Sequence, residues 1–539
     1  MSVISDPVQA GIAAGWRVTD GAQLQADQTL EADVVIVGSG AGGGVTAEIL
    51  ALSGLKVIIV EEGALKSSRD FKMREAEAYP ALYQESAARK TKDKGITILQ
   101  GRTVGGSTTI NWTSSFRTPD ITLRYWNQHF GLKDYTPESL APWFGMMEER
   151  LSISDWPTPP NENNDLLRRG ASKLNIPTGL IRRNVNGCWN LGYCGMGCPT
   201  NAKQSMLVTT IPSALQHGAS LLTRVRADRL TIKNDRVTTL ECVALTPDGL
   251  GTTGRRITLR ARHFVLAGGA INTPALLMRS TAPDPHGLLG KRTFLHPTVI
   301  SAGIFAQRVD GYAGAPQSVY SDHFLHNDRI DGPMGYKLEA PPLHPLLFST
   351  TMPGFGAQHA AVMRQFPHVH ALLALLRDGF HADAPGGSVA LVHGAPVLDY
   401  PFSPFIWDGV RRALLSMAEI QFAAGAQSVT PVHERAEAYS SWTQAQAGIN
   451  ALPLKLLQTR VVSAHVMGGC GMSDDERLGV TSSGGRYHGL ANVSVHDGSL
   501  FPTAIGANPQ LSIYGIVARL ASGLAQQMTG QPAARPTRA

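Results

Sequence analysis

Long apolar runs are absent from this 539-residue chain. Its most apolar short run, residues 371–376, falls far below the roughly 20 residues that span a bilayer. Residues 1–30 are mixed polar and small, with no basic start leading into an apolar core and no twin arginine. That pattern excludes a recognisable signal peptide and makes a cytoplasmic location the expectation, with any membrane association going through a partner. Charge of one sign is scarce as well. The balance of +6 is spread thinly and never gathers into a basic block, so no nucleic-acid partner is expected. Cysteine is sparse: five in the whole chain, too few for a disulfide framework.

What is there belongs to a globular protein. Hydrophobic residues make up 43% and charged residues 17%, ordinary for a soluble fold. The length calls for two or more packed units. The run Asp33-Val-Val-Ile-Val37 is short, β-branched and continuous, as a buried parallel strand should be. Small residues follow it, then a helical stretch through Glu48, Ile49 and Leu52, then a second strand at Lys56-Val-Ile-Ile-Val60. The whole reads as one βαβ unit. Short strands are predicted from 221 to 265, ending at another strand-to-glycine turn, Ala267-Gly268-Gly269. Residues 300–455 are rich in Pro, His and aromatics and carry no motif.

The first turn reads Gly38-Ser-Gly40-Ala-Gly-Gly43. Gly38 permits the tight turn, Gly40 lets the backbone approach a pyrophosphate, and Gly43 lets helix pack on strand. The helix N-terminus offers unpaired N–H groups to the phosphates. Glu61, ending the second strand, is placed to accept from ribose hydroxyls, with Glu62 its neighbouring competitor. This unit binds a dinucleotide and does not distinguish FAD from NAD.

A second glycine patch, Gly101-Arg-Thr-Val-Gly105-Gly106-Ser107-Thr-Thr-Ile-Asn111, resembles a stretch of the glucose-methanol-choline (GMC) oxidoreductase family that lies against flavin and pyrophosphate. Val104 stands where that family usually has Leu, and Thr108 where it has a second Ser. Four further segments are similar to that family in the right order. These are Ala267 to Pro274, Ala464-His465-Val-Met-Gly-Gly-Cys470, Asn492 through Asp497 and Ser499 to Pro502, and Gly506-Ala-Asn508-Pro509. The resemblance implies FAD held across an α/β, Rossmann-like FAD-binding domain, with a discontinuous α+β substrate-binding domain built on a mostly antiparallel sheet with helices. The expected boundaries are 30–115, 200–299 and 456–530 for the FAD-binding domain, and 116–199 and 300–455 for the substrate-binding domain and a cysteine-bearing loop. Residues 1–29 are expected as an extension and 531–539 as a flexible tail. Relatives that attach flavin covalently do so through a histidine where Ile110 stands, so the resemblance implies noncovalent FAD. It also places Gly105, Gly106, Ser107, Asn111, Ala267 and Asp497 around the cofactor.

Oxidising an alcohol removes a hydroxyl proton and a hydride from one CH–OH unit. A neutral histidine can take the proton, and an amide can hold the oxygen where negative charge grows. The resemblance assigns these roles to His465 as base and Asn508 as its oxygen-orienting partner. His496 is expected to serve packing, and His296, before Pro297 at a domain-crossing position, to be structural.

Cys188, Cys194 and Cys198 crowd into one segment, followed by Pro199. Three thiolates at that spacing suit an iron-sulfur cluster, and the spacing resembles that of cluster-bearing FAD sugar dehydrogenases. Structural thiols are the alternative. The nearby Ala202-Lys203-Gln204-Ser205 resembles the long-chain alcohol branch and tilts the expected substrate toward an apolar primary or aliphatic alcohol. The electron acceptor is expected to be oxygen, a quinone or a cytochrome, with a small partner subunit if the thiols carry electrons. Competing readings are a sugar or polyol dehydrogenase electron-transfer subunit and a flavin-containing lyase on the same scaffold.

Overall fold

The β-branched runs on either side of the first glycine turn and its helix pair with each other, and a sheet grows outward from them. The computed structural model describes residues 4–538; residues 1–3 of the expected extension and residue 539 of the expected tail lie outside the described residues. In the first eight-stranded sheet the order is Arg17–Asp20, Ser220–Thr223, Val57–Val60, Gln28–Val37, Thr252–Leu266, Arg236–Leu245 and Val225–Lys233, and Val493–Val495 pairs alongside Thr252–Leu266. The five strands through Thr252–Leu266 run parallel, and the last two turn back as an antiparallel meander. Thr252–Leu266 is one 15-residue strand where short strands were expected. It is long because its first half pairs with the meander and its last three residues pair with Val493–Val495. The N-terminal stretch is more than an extension, since Arg17–Asp20 forms the sheet's edge.

Val34, Val35 and Ile36 are fully buried, which explains the unbroken apolar run, since a parallel sheet is covered on both faces. Helix Ala41–Leu52 packs against the closing helix Gln510–Thr529. A buried ion pair, Arg150 to Glu48 at 2.7 Å, ties helix Pro137–Arg150 to the first.

The second eight-stranded sheet runs Ile96–Ile98, Val461–Ser463, Thr298–Ile304, Val369–Leu376, Tyr336–Glu339, Val319–Ser321 and Gly179–Leu180, with Ser428–Pro431 also on Thr298–Ile304. Its pairings are antiparallel except for Ile96–Ile98 with Val461–Ser463. The apolar run of the sequence is the central strand Val369–Leu376, buried along its length. Side chains alternate across a strand. Leu372, Ala374 and Leu376 join the core with Val410, Leu414 and Met417 of helix Pro404–Ala424. Leu373 and Leu375 face the other way, into a cavity between the two sheets. Among the described residues, no helix is long and apolar enough to cross a membrane.

Candidate active site

Backbone meets backbone at the first glycine turn, and this sets the shape of the site. Gly38 has φ +101°, and a side chain there would lie 2.3 Å from the carbonyl of Ala267. Only glycine enters that conformation without strain. A Cβ on Gly43 would meet the Gly38 carbonyl at 1.9 Å, and one on Gly42 the His496 carbonyl at 1.6 Å. A Cβ on Gly40 would meet nothing nearer than Gly106 Cα at 3.8 Å, and Gly40 lines the cavity. Gly106, with φ +53°, could not carry a side chain without crowding Gly40. The two glycine patches therefore abut.

Ser39 joins three segments here. Its hydroxyl donates to Glu61 Oε2 at 2.6 Å and accepts from the Gly105 N–H at 3.0 Å. Glu61 also accepts from the N–H groups of Ser39 and Gly63. Burial pushes its pKa up, and those hydrogen bonds pull the other way. Glu62 is engaged by Arg102 at 3.2 Å. Both acids line the cavity.

That cavity measures about 610 Å³ and is lined by Gly38, Gly40, Glu61, Gly106, Ser107, Asn111, Ala267, Asp497, His465 and Asn508, among others. Gly43 and Gly105 shape its wall from behind, Gly105 with φ +85°. Asn111 donates to Gln510 Oε1 at 2.6 Å. Ser107 Oγ accepts from the Gly101 N–H. Asp497 spends its carboxylate on its surroundings: Gly269 N–H and Thr273 Oγ1 donate to one oxygen, and Ser499 donates to the other. Burial raises its pKa.

The end of the cavity that holds His465 is built by cross-strand register. Phe294 pairs with Met467 in a two-stranded antiparallel ribbon, and two residues beyond that pairing His296 comes opposite His465. Their Nδ1 atoms lie 3.2 Å apart. His296 is buried, its Nε2 has no partner among the described residues, and its backbone N–H donates to Asp378. His465 faces the cavity but is otherwise enclosed. Burial, reinforced by the positive charge of Lys337, pushes its pKa down to about 3. Asn508 does not cap the closing helix, which has no side-chain cap. Its Oδ1 instead accepts from Lys337 Nζ at 3.1 Å, and its Nδ2 donates to Glu339 Oε2 at 3.2 Å.

Models of the GMC oxidoreductase family match residues 79–298 and 385–516. A GMC-type oxidoreductase of Mycobacterium tuberculosis is 31% identical over 93% of this chain and 76% of its own length. The chain belongs to the GMC oxidoreductase family. A long-chain-alcohol oxidase of Arabidopsis thaliana is 26% identical over 96% of this chain and 70% of its own. The pyridoxine 4-oxidase structure from Mesorbium loti superposes with a TM-score of 0.65 at 18% identity, covering 91% of this chain and 98% of that one. The fold is thus the GMC oxidoreductase fold, with its Rossmann-like FAD-binding domain.

One expectation needs correcting. Among the described residues of this GMC oxidoreductase, no three His, Cys, Asp or Glu side chains are disposed to hold a metal ion. Cys188, Cys194 and Cys198 instead take separate partners. Cys188 accepts from the Asn190 N–H, Cys194 from Arg183, and Cys198 bonds the Thr200 hydroxyl. The iron-sulfur reading is not supported. Their segment packs against the short helix Ser107–Ile110, where buried Lys203 donates to the carbonyls of Thr109, Asn111 and Cys194. The three thiols stay near enough to interact, Cys194 and Cys198 adding to the burial that pushes the Cys188 pKa up, yet they are not disposed to share a metal ion.

Four further residues join the hydrogen bonds of the site without a clear signal in the sequence: Ser39 between two glycines, His296, whose sequence context reads as structural, and Lys337 and Glu339 in the motif-free region. His496 bonds Thr46.

Proposed function

We propose that this GMC oxidoreductase oxidises an apolar primary or aliphatic alcohol to the carbonyl compound, with noncovalent FAD as hydride acceptor and His465 as base. The observation that carries this reading is that His465 and Asn508 line the same cavity as the glycine turns. The residues present fit FAD. Gly40 lines the cavity with no protein atom crowding the place of its missing side chain, which leaves the backbone open to a pyrophosphate, and the cavity is of ligand size. A carboxylate has about four acceptor positions; Glu61 uses three on protein donors and keeps one for a ribose hydroxyl. Ile110 supports noncovalent binding, since it offers no nucleophile beside Asn111. Bound there, FAD would supply the two-electron acceptor that takes a hydride.

The chain's own residues do the rest. His465 stays unprotonated at neutral pH because charging it in this enclosure is costly. If His465 carries its proton on Nδ1 and donates to His296, its Nε2 lone pair is left for the alcohol proton. The O–H bond breaks toward Nε2 as the C–H bond gives up its hydride, leaving the carbonyl product. The free N–H of Asn508 steadies the oxygen while negative charge grows on it. Leu373, Leu375 and Val466 line the cavity, which favours an apolar chain over a polyol.

The test is anaerobic mixing of flavin-loaded protein with a panel of alcohols, followed by oxygen or a quinone. Bleaching of the flavin by primary alcohols is expected, and no bleaching with any alcohol would favour a lyase. His465→Ala should slow reduction about a hundredfold or more while keeping the bound-flavin spectrum. Fast reduction by that variant would overturn the base assignment.

A further inference from the structure

Two opposite charges, buried on one strand behind Asn508, call for an explanation. Strand Tyr336–Glu339 places Lys337 and Glu339 on the same face, because side chains two apart share a face. Tyr336 and Leu338 point into the apolar core. Register carries the charged pair toward the site: Lys337 lies opposite Leu375 and Glu339 opposite Leu373, both of which line the cavity. Their side chains are 2% and 0% exposed and 3.1 Å apart. The Lys337 ammonium sits 3.0 Å from the centre of the Phe116 ring and 4.6 Å from that of Tyr320. Buried ion pairs are weak sources of stability, and apolar residues of similar volume often do as well. Stability alone does not account for this pair.

Each charge holds one end of the Asn508 amide, Lys337 its oxygen and Glu339 its nitrogen. An amide rotated by half a turn would press its N–H groups against the ammonium and its oxygen against the carboxylate. Both contacts are repulsive, so the pair selects one orientation. In that orientation one Nδ2–H is spent on Glu339 and the other is free.

We propose that Lys337 and Glu339 are positioning residues that lock the Asn508 amide so that its second N–H is aimed at the substrate oxygen. The inference rests on the alcohol-oxidation reading above. It gives the ion pair a role through Asn508, with neither charge touching the substrate.

The test is a mutant cycle on flavin-loaded protein, reading the limiting rate of anaerobic flavin reduction by a primary alcohol. If wild-type protein is not reduced, the functional reading fails and not this inference. With a reactive wild type, Lys337→Met/Glu339→Gln, which removes both charges together, should lower the limiting rate about thirtyfold or more while KM changes less than about threefold. In an Asn508→Ala background the same pair of substitutions should change the rate less than about threefold, because residues acting through Asn508 lose their effect once it is gone. The same fold loss in both backgrounds, or no loss in either, would overturn the proposal. Should the double variant lose its flavin or fail to fold, Glu339→Gln alone, equal in volume, is put through the same cycle. Failure of that variant to fold would also overturn it, by making the pair's role structural.

Discussion

His465 can act as a base only if its lone pair faces the cavity, and His296 decides which nitrogen carries the proton. With Nδ1 atoms 3.2 Å apart, one ring must donate and the other accept. His296 is kept neutral by burial and by the neighbouring His465, so it can serve as the acceptor. His296→Ala should therefore slow flavin reduction about ten- to a hundredfold, with the flavin spectrum unchanged. His296→Gln, whose amide oxygen can accept from His465 Nδ1, should recover part of the rate. Stopped-flow reduction of the two variants checks this, and an unchanged rate in His296→Ala would sink it. His465 was singled out in the sequence through the resemblance of its segment to the GMC family, since a histidine in a glycine-rich turn would by itself read as structural. His296 was not, since its partner lies 169 positions away and only the ribbon pairing brings the rings together. Lys337 and Glu339 left a fainter signal, opposite charges two apart in an otherwise apolar strand. Such a pattern more often marks a solvent-facing edge.

Elements were legible where one local pattern sufficed. Strands at Val34 and Val57, the turn between them and the helix through Glu48 follow from β-branched runs and glycine spacing. The edge strand Arg17–Asp20 does not, because only pairing with Ser220–Thr223 makes it a strand. Gly42 was passed over for a similar reason: its contact is the His496 carbonyl, from the far end of the chain. Glu48, in the helical stretch that the sequence predicts, is 1% exposed and clamped by Arg150. Two Arg150 nitrogens reach it at 2.7 and 2.9 Å. Removing one member strands the other charge in the interior. Arg150→Ala should cost about 3–5 kcal/mol in denaturant unfolding, and the double variant Glu48→Leu/Arg150→Met much less. A single-variant loss within about 1 kcal/mol, the value of an exposed pair, would show that water reaches Glu48.

Across the whole molecule, several histidines are buried as neutral rings. Burial pushes His263, His370, His465 and His496 each down to about 3. A histidine whose folded pKa lies below its unfolded value takes up a proton on unfolding. Its stabilising contribution is complete above about pH 6.5 and is lost progressively as pH falls toward 3. Asp378 works against this trend. Its pKa is raised to about 6 by burial, so the folded form gains a proton first as pH falls. One such carboxyl offsets one ring, and Glu61 and Asp497, both raised by burial, act in the same sense. His296, His344 and His433, also lowered by burial, add to the histidine side. The melting temperature should therefore drop by about 5 °C or more between pH 7 and pH 5.5. A flat or rising melting curve across that window would show that the rings ionise inside the fold. The same inequality separates two causes of acid inactivation. Because folded His465 remains neutral well below pH 6, loss of flavin reduction in mild acid should track loss of folded protein. Activity lost at a pH where the protein is still fully folded would place the titration of the base itself in that range.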